Sequence, residues 1–210
     1  MTRDEGNAVD GSASEWKPLK ELGKAERNLF QQPVKGNNMN RKTIYYDNKE
    51  FPLLGRIYVA ASEKGLCHLS LPAHPVESFF EKVISRFQPN FLTQNQDPFK
   101  DLFRQMDRYL AGQKVVFNVP LDMEGTPFQL QVWESLKAIP YGETCSYGEI
   151  AQAVGRPRAS RAVGQANHNN PVPIVIPCHR VIGSRGDLVG YGSGLSLKEK
   201  LLNLERKSIR

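Results

Sequence analysis

Ser146-Tyr-Gly-Glu-Ile-Ala-Gln-Ala-Val-Gly-Arg-Pro-Arg-Ala-Ser-Arg-Ala-Val-Gly-Gln-Ala-Asn167 holds two short helical stretches, Tyr147 to Val154 and about Arg158 to Ala166, on either side of Gly155-Arg156-Pro157. A glycine at the turn and a proline opening the second stretch is helix-turn-helix spacing. The second stretch is built of Ala, Gly and Ser with Arg158 and Arg161 projecting. Small side chains let a helix backbone come close to another surface, either DNA or a packed neighbouring helix.

Working outward, capping boxes at Thr126/Gln129, Ser146/Glu149 and Ser196/Glu199 predict three helix starts, the first strengthened by Pro127 and by the apolar face Phe128, Val132, Trp133 and Leu136. Residues 123–210 are therefore expected to be a mainly helical domain. Residues 41–122 read differently. Short β-prone runs, Thr43 to Tyr46, Gly55 to Ala61 and Leu66 to Leu71, are separated by turn formers at Asp47-Asn48 and Glu63-Lys64-Gly65, which predicts a small antiparallel sheet. Helical periodicity follows over Val76 to Phe87 and Phe99 to Leu110. The fold class is α+β: an amino-terminal antiparallel-sheet domain plus a helical carboxy-terminal domain, joined near Asn118 to Gly125. Residues 1–40 are polar, with a short helix expected near Lys17 to Phe30, and read as a mobile tail.

The 210 residues carry a formal charge of +6, and the excess sits late: residues 141–210 hold ten basic and five acidic side chains, residues 1–40 six of each. A basic face of this kind suits nucleic acid, because Lys and Arg displace condensed counterions from phosphates. Cys67, Cys145 and Cys178 are odd in number and lack metal-ligand spacing, which argues against disulfides and metal and for a reducing cytosol. No run is long and apolar enough for a membrane span, and the polar, acidic start does not resemble a signal peptide. A soluble, cytoplasmic protein is expected.

Asn170-Pro-Val-Pro-Ile-Val-Ile-Pro-Cys-His-Arg-Val181 presents one cysteine at the end of a proline-stiffened, extended approach. A thiol must ionise to attack, and His179, Arg180 and backbone donors beside Cys178 are expected to lower its pKa. Asn170 and Glu205 are available to orient such a site. Adjacent residues of a regular strand point to opposite faces, so His179 needs a tight turn or a bridging water to take the proton. A cysteine protease fits less well, since its histidine comes from a distant part of the chain. Glu205 lies within the Leu-rich last helix, where an exposed charge is the default. Tyr191, in Gly190-Tyr-Gly-Ser-Gly194, sits in a loop suited to a ligand, and Tyr147 opens the first helix of the pair.

The Pro177-Cys-His-Arg180 block resembles the active-site signature of the methylated-DNA-protein-cysteine methyltransferases, the O6-alkylguanine-DNA alkyltransferases. The resemblance extends through Thr126-Pro-Phe128, Ile139-Pro-Tyr-Gly142, Ser146-Tyr147, Arg161-Ala-Val-Gly164, Asn170-Pro-Val-Pro173, Gly190-Tyr-Gly192 and the helix ending at Glu205. It implies a ribonuclease H-like amino-terminal domain and a carboxy-terminal domain that binds double-stranded DNA containing O6-alkylguanine. It also implies Cys178 as alkyl acceptor, with His179 acting through a water, Glu205 holding His179, and Asn170 bracing the turn. Arg161 would enter the base stack vacated by a flipped nucleotide, from a helix in the minor groove. Tyr147 would contact the flipped base and its backbone. Ala159, Tyr191 and Gly192 would lie against the DNA or the base, and the carbonyls of Cys178 and Val181 would read the exocyclic amine.

No cofactor or metal is implied, and each molecule would act once, as a monomer, in the cytoplasm or a eukaryotic nucleus. O4-alkylthymine is a second substrate the resemblance leaves open. Two departures bear on the pocket: Gly192 replaces a serine of several relatives, leaving only a backbone N–H for O6, and Ser193 replaces a frequent glycine. Two other readings compete, a lesion-recognition protein without chemistry, whose relatives lack the cysteine, and a dimeric helix-turn-helix regulator.

Overall fold

In the computed structural model, which describes residues 42–73 and 75–208, β1 (Thr43–Phe51), β2 (Gly55–Ser62) and β3 (Gly65–Ser70) form an antiparallel meander. The tail of residues 1–40 and the helix expected at Lys17 to Phe30 lie outside the described residues. Asp47 and Asn48 do not turn the chain: they pair with Val59 and Tyr58 inside β1, and the reversal falls at residues 52–54. Unbroken ladder pairing outweighs the local turn preference of two polar residues.

The sheet is not wholly antiparallel. After α1 (Val76–Phe87) the chain returns as β4 (Phe91–Gln94), which pairs parallel with β1 from Thr43↔Phe91 to Tyr46↔Gln94 and gives the order β3-β2-β1-β4. A parallel neighbour needs a crossover, and α1 supplies it, burying Phe79, Val83 and Phe87. A 3-10 turn over residues 97–99 leads into α2 (Lys100–Leu110), with Leu102, Phe103, Met106 and Tyr109 inside. The link then runs beside β3, where Leu66 N–H donates to Pro120 O at 2.8 Å and Asp122 N–H to Leu66 O at 3.0 Å. Gly65, at φ +149, permits this approach, since a Cβ there would lie 2.4 Å from Pro120 O.

Beyond the link come α3 (Pro127–Lys137), α4 (Tyr147–Ala153), α5 (Ser160–His168) and α6 (Leu195–Lys207). Both halves of the capping box form at Thr126 and at Ser146. The third box does not form: Gly194, at φ +88, caps α6, and Ser196 lies inside the first turn. Pro157 likewise sits in the turn before α5, which begins at Ser160 after an Ala159 cap. Between α4 and α5 the chain reverses through Gly155, left-handed at φ +71. Trp133, fully buried on α3, ties the pair down by donating from Nε1 to Ala166 O at 2.8 Å. One continuous hydrophobic core runs from Phe51 and Phe103 through Trp133 and Val163 to Leu201.

Candidate active site

Asn170 to Pro177 folds into a tight turn where the sequence suggests an extended approach. Asn170 makes the turn: its Oδ1 accepts from Val172 N–H at 3.1 Å and its Nδ2 donates to Ile176 O at 2.8 Å. Ile174 takes φ +73, strained for a β-branched residue, and is held there by burial at 1% exposure. Pro177 then leads Cys178–Arg180 into a 3-10 turn, and Val181 and Ile182 pair parallel with Cys145 and Ser146. The turn meets the sheet through Leu69 N–H, which donates to Pro171 O at 2.8 Å.

Behind Cys178 lies a fully buried network. His179 Nε2 is 2.8 Å from Glu205 Oε1, and Arg180 grips the same carboxylate through Nε to Oε2 at 2.9 Å and NH2 to Oε1 at 3.0 Å. Gly142 N–H donates to Oε2 at 2.9 Å, and the Tyr109 hydroxyl donates to Oε1 at 2.7 Å. Burial raises the Glu205 carboxyl, but the hydrogen bonds and charges of His179 and Arg180 outweigh it and bring its pKa to about 2. Far from being an exposed charge, Glu205 is 0% exposed.

Burial holds His179 below its ordinary pKa against the opposing pull of Glu205, so the imidazole is neutral near pH 7. With Nε2–H directed to the carboxylate, Nδ1 carries the lone pair, and it has no hydrogen-bond partner among the described residues. The Cys178 thiol is not acidified: burial pushes it up to about 11, against smaller lowering from Asn170, Lys198 and the local backbone. Backbone donors and a neighbouring cation do not offset the loss of water around a cysteine 4% exposed.

Cys178 forms part of the wall of a cleft of about 580 Å³. Arg161, Gly164 and Asn167 of α5, Tyr147, Asn170, and Tyr191 and Gly192 of the loop share that wall. His179 and Glu205 stand behind it. Ala159 and Val181 are not on it: Ala159 caps α5, and the Val181 carbonyl accepts from Lys198 Nζ at 2.6 Å. The Cys178 carbonyl accepts from Asn167 Nδ2 at 3.2 Å. The Tyr147 hydroxyl donates to Val189 O at 3.2 Å, and Tyr191, half-buried, keeps its hydroxyl inside without a partner among the described residues. Arg161 is exposed on α5.

Sequence reasoning missed three residues. Tyr109, Lys198 and Asn167 were not singled out, yet all are buried beside the cysteine turn or its network. Lys198 is also held by Val189 O at 2.8 Å, and burial lowers its pKa to about 8. Among the described residues, no group of three or more His, Cys, Asp or Glu side chains is arranged to hold a metal, and no helix is long and apolar enough to cross a membrane.

Two family models match the chain: the ribonuclease-like domain of 6-O-methylguanine DNA methyltransferase over residues 43–123 and its DNA-binding domain over residues 127–207. The chain belongs to this family. The methylated-DNA–protein-cysteine methyltransferase of Methanosarcina barkeri is 48% identical over 168 residues, which span 80% of this chain and 100% of that protein. The inducible enzyme of that name from Bacillus subtilis is 40% identical over 169 residues, 80% of this chain and 94% of its own. Among solved structures, Mycobacterium tuberculosis OGT in complex with DNA superposes with a TM-score of 0.68 at 40% identity, covering 78% of this chain and 94% of that one. The α+β architecture, antiparallel-dominated sheet followed by helices, is that of the family.

Proposed function

We propose that this protein repairs DNA by moving the alkyl group of an O6-alkylguanine onto Cys178, once per molecule. The observation that carries the reading is a buried thiol on the wall of a cleft with room for a nucleotide, backed by a neutral histidine whose tautomer is set by a buried carboxylate. Sγ attacks the alkyl carbon and the C–O6 bond breaks, leaving its electron pair on guanine. The thiol proton passes through water to His179 Nδ1, and Tyr147 donates a proton to the departing ring and regains one. The net proton moves from sulfur to guanine. A high thiol pKa in the free protein is compatible with this course, because proton removal need occur only with the base in place.

The exposed Arg161 on a small-residue helix supports insertion into the duplex and extrusion of the target nucleotide into the cleft. Gly164 has room for the close approach, its nearest neighbour being the Tyr147 ring. Ala159, at the start of α5, faces the DNA in this reading, and Tyr191 and Gly192 flank the base. The Cys178 and Val181 carbonyls, each with a second lone pair beyond its present bond, serve the exocyclic amine. Residues 123–210 are the catalytic domain, residues 41–122 an accessory α+β domain and residues 1–40 a tail. The protein acts as a monomer, without a cofactor, in a reducing compartment.

The test is a duplex with one isotopically labelled O6-methylguanine, followed by peptide mass spectrometry. Label on Cys178, saturating at one methyl per protein and absent from Cys178→Ala, is expected. Tight lesion binding without transfer would make the protein a damage sensor instead.

A further inference from the structure

Five donors converge on Glu205: Tyr109 OH, His179 Nε2 and Arg180 NH2 on Oε1, and Arg180 Nε and Gly142 N on Oε2. A carboxylate offers about four lone-pair sites, so donors to one oxygen compete. Four of the five come from the helical half that carries the cysteine turn. The fifth, Tyr109, arrives from α2, on the sheet side of the link, and its hydroxyl lies 3.4 Å from His179 Nε2. We propose that Tyr109 is a positioning residue for the reaction: by drawing charge from Glu205 Oε1, its hydroxyl limits how strongly that carboxylate pulls a proton onto His179.

The groups facing His179 are Glu205 and Lys198 from α6, Arg180 and Cys178 from its own turn, and Tyr109 from α2. Tyr141 stands one layer out, its ring 6.0 Å from that of Tyr109 and 5.7 Å from the Arg180 guanidinium. Arg180 and Lys198 oppose an imidazolium, and Glu205 alone favours one. Burial and the Glu205 charge keep the Tyr109 phenol protonated well beyond its ordinary range, so it remains a donor whenever the reaction runs. Its bond adds to burial in keeping the imidazole neutral and Nδ1 ready to accept. Without it, more of the carboxylate charge would fall on His179 and raise its affinity for a proton, leaving Nδ1 free to accept over a narrower pH range.

The link to rate rests on the alkyl-transfer reading, whereas the effect on His179 does not. The experiment therefore measures both in the full chain, following the His179 titration by 15N NMR and the pH dependence of single-turnover methyl transfer. Tyr109→Phe is expected to move the titration up by about one pH unit, and the acid limb of the transfer rate with it. Fluorotyrosine at position 109, a stronger donor of nearly the same shape, is expected to move both down, and it serves if Tyr109→Phe does not fold. An unmoved His179 titration, with only a lower melting temperature, would overturn the proposal and leave Tyr109 as packing. A titration that moves as expected while the unsubstituted protein fails to methylate Cys178 would sustain the effect on His179 and sink the alkyl-transfer reading.

Discussion

Cys178 is protonated at rest, and the groups that decide its chemistry are those that can take or steer a proton. Glu205 anchors them, and its own titration is measurable. Its folded pKa, about 2, lies below the ordinary value of 4.5, so the stabilisation it gives is complete above about pH 4.5 and is lost as pH falls toward 2. Glu205→Gln also leaves Arg180 buried without its counter-charge. The variant is expected to lose about 3 kcal/mol at pH 7. Urea unfolding at pH 7 and pH 3 checks this: the gap to the unsubstituted protein should narrow at pH 3, and an equal gap at both would mean that Glu205 is not the group titrating. Cys178 and His179 were legible because Pro-Cys-His-Arg concentrates reactive types in four residues. Lys198 and Tyr109 were not, since their partners lie 17 and 96 residues away and helical spacing does not tell an inward lysine from an outward one.

At the scale of the element, capping explains both what the sequence predicts and what it does not. Ser146 makes a complete box at the start of α4, so Ser146→Ala should cost about 1 kcal/mol. Ser196 lies inside α6, and Ser196→Ala should change stability by less than about 0.5 kcal/mol. Thermal unfolding of the pair separates the two, and equal losses would restore the predicted cap at Ser196. The Ser-x-x-Glu spacing marks a start only if the chain enters the helix there, and a left-handed Gly194 lets α6 begin sooner. Similar reasons hid the rest. Phe91–Gln94 is four residues long and mostly exposed, so it has no apolar alternation, and the prolines of residues 171–177 signal stiffness without saying whether it is straight or bent.

For the molecule as a whole, the cysteine turn is supported from across the link, by Leu69 through Pro171 and by Tyr109 through Glu205. Asn167 Oδ1, His179 Nδ1 and the Tyr191 hydroxyl are buried around the cysteine with no hydrogen-bond partner among the described residues. A buried polar atom that is left without any partner costs about 1–3 kcal/mol relative to a satisfied one. Tyr191→Phe removes one of them. Calorimetry should show a melting temperature higher by about 2–4 °C for each kcal/mol gained, and titration with methylated duplex should show weaker binding. An unchanged or lower melting temperature would mean that the hydroxyl is already satisfied. Selection for heat resistance alone would therefore discard these atoms among the first, and the hardiest clones it returned would be poor at repair.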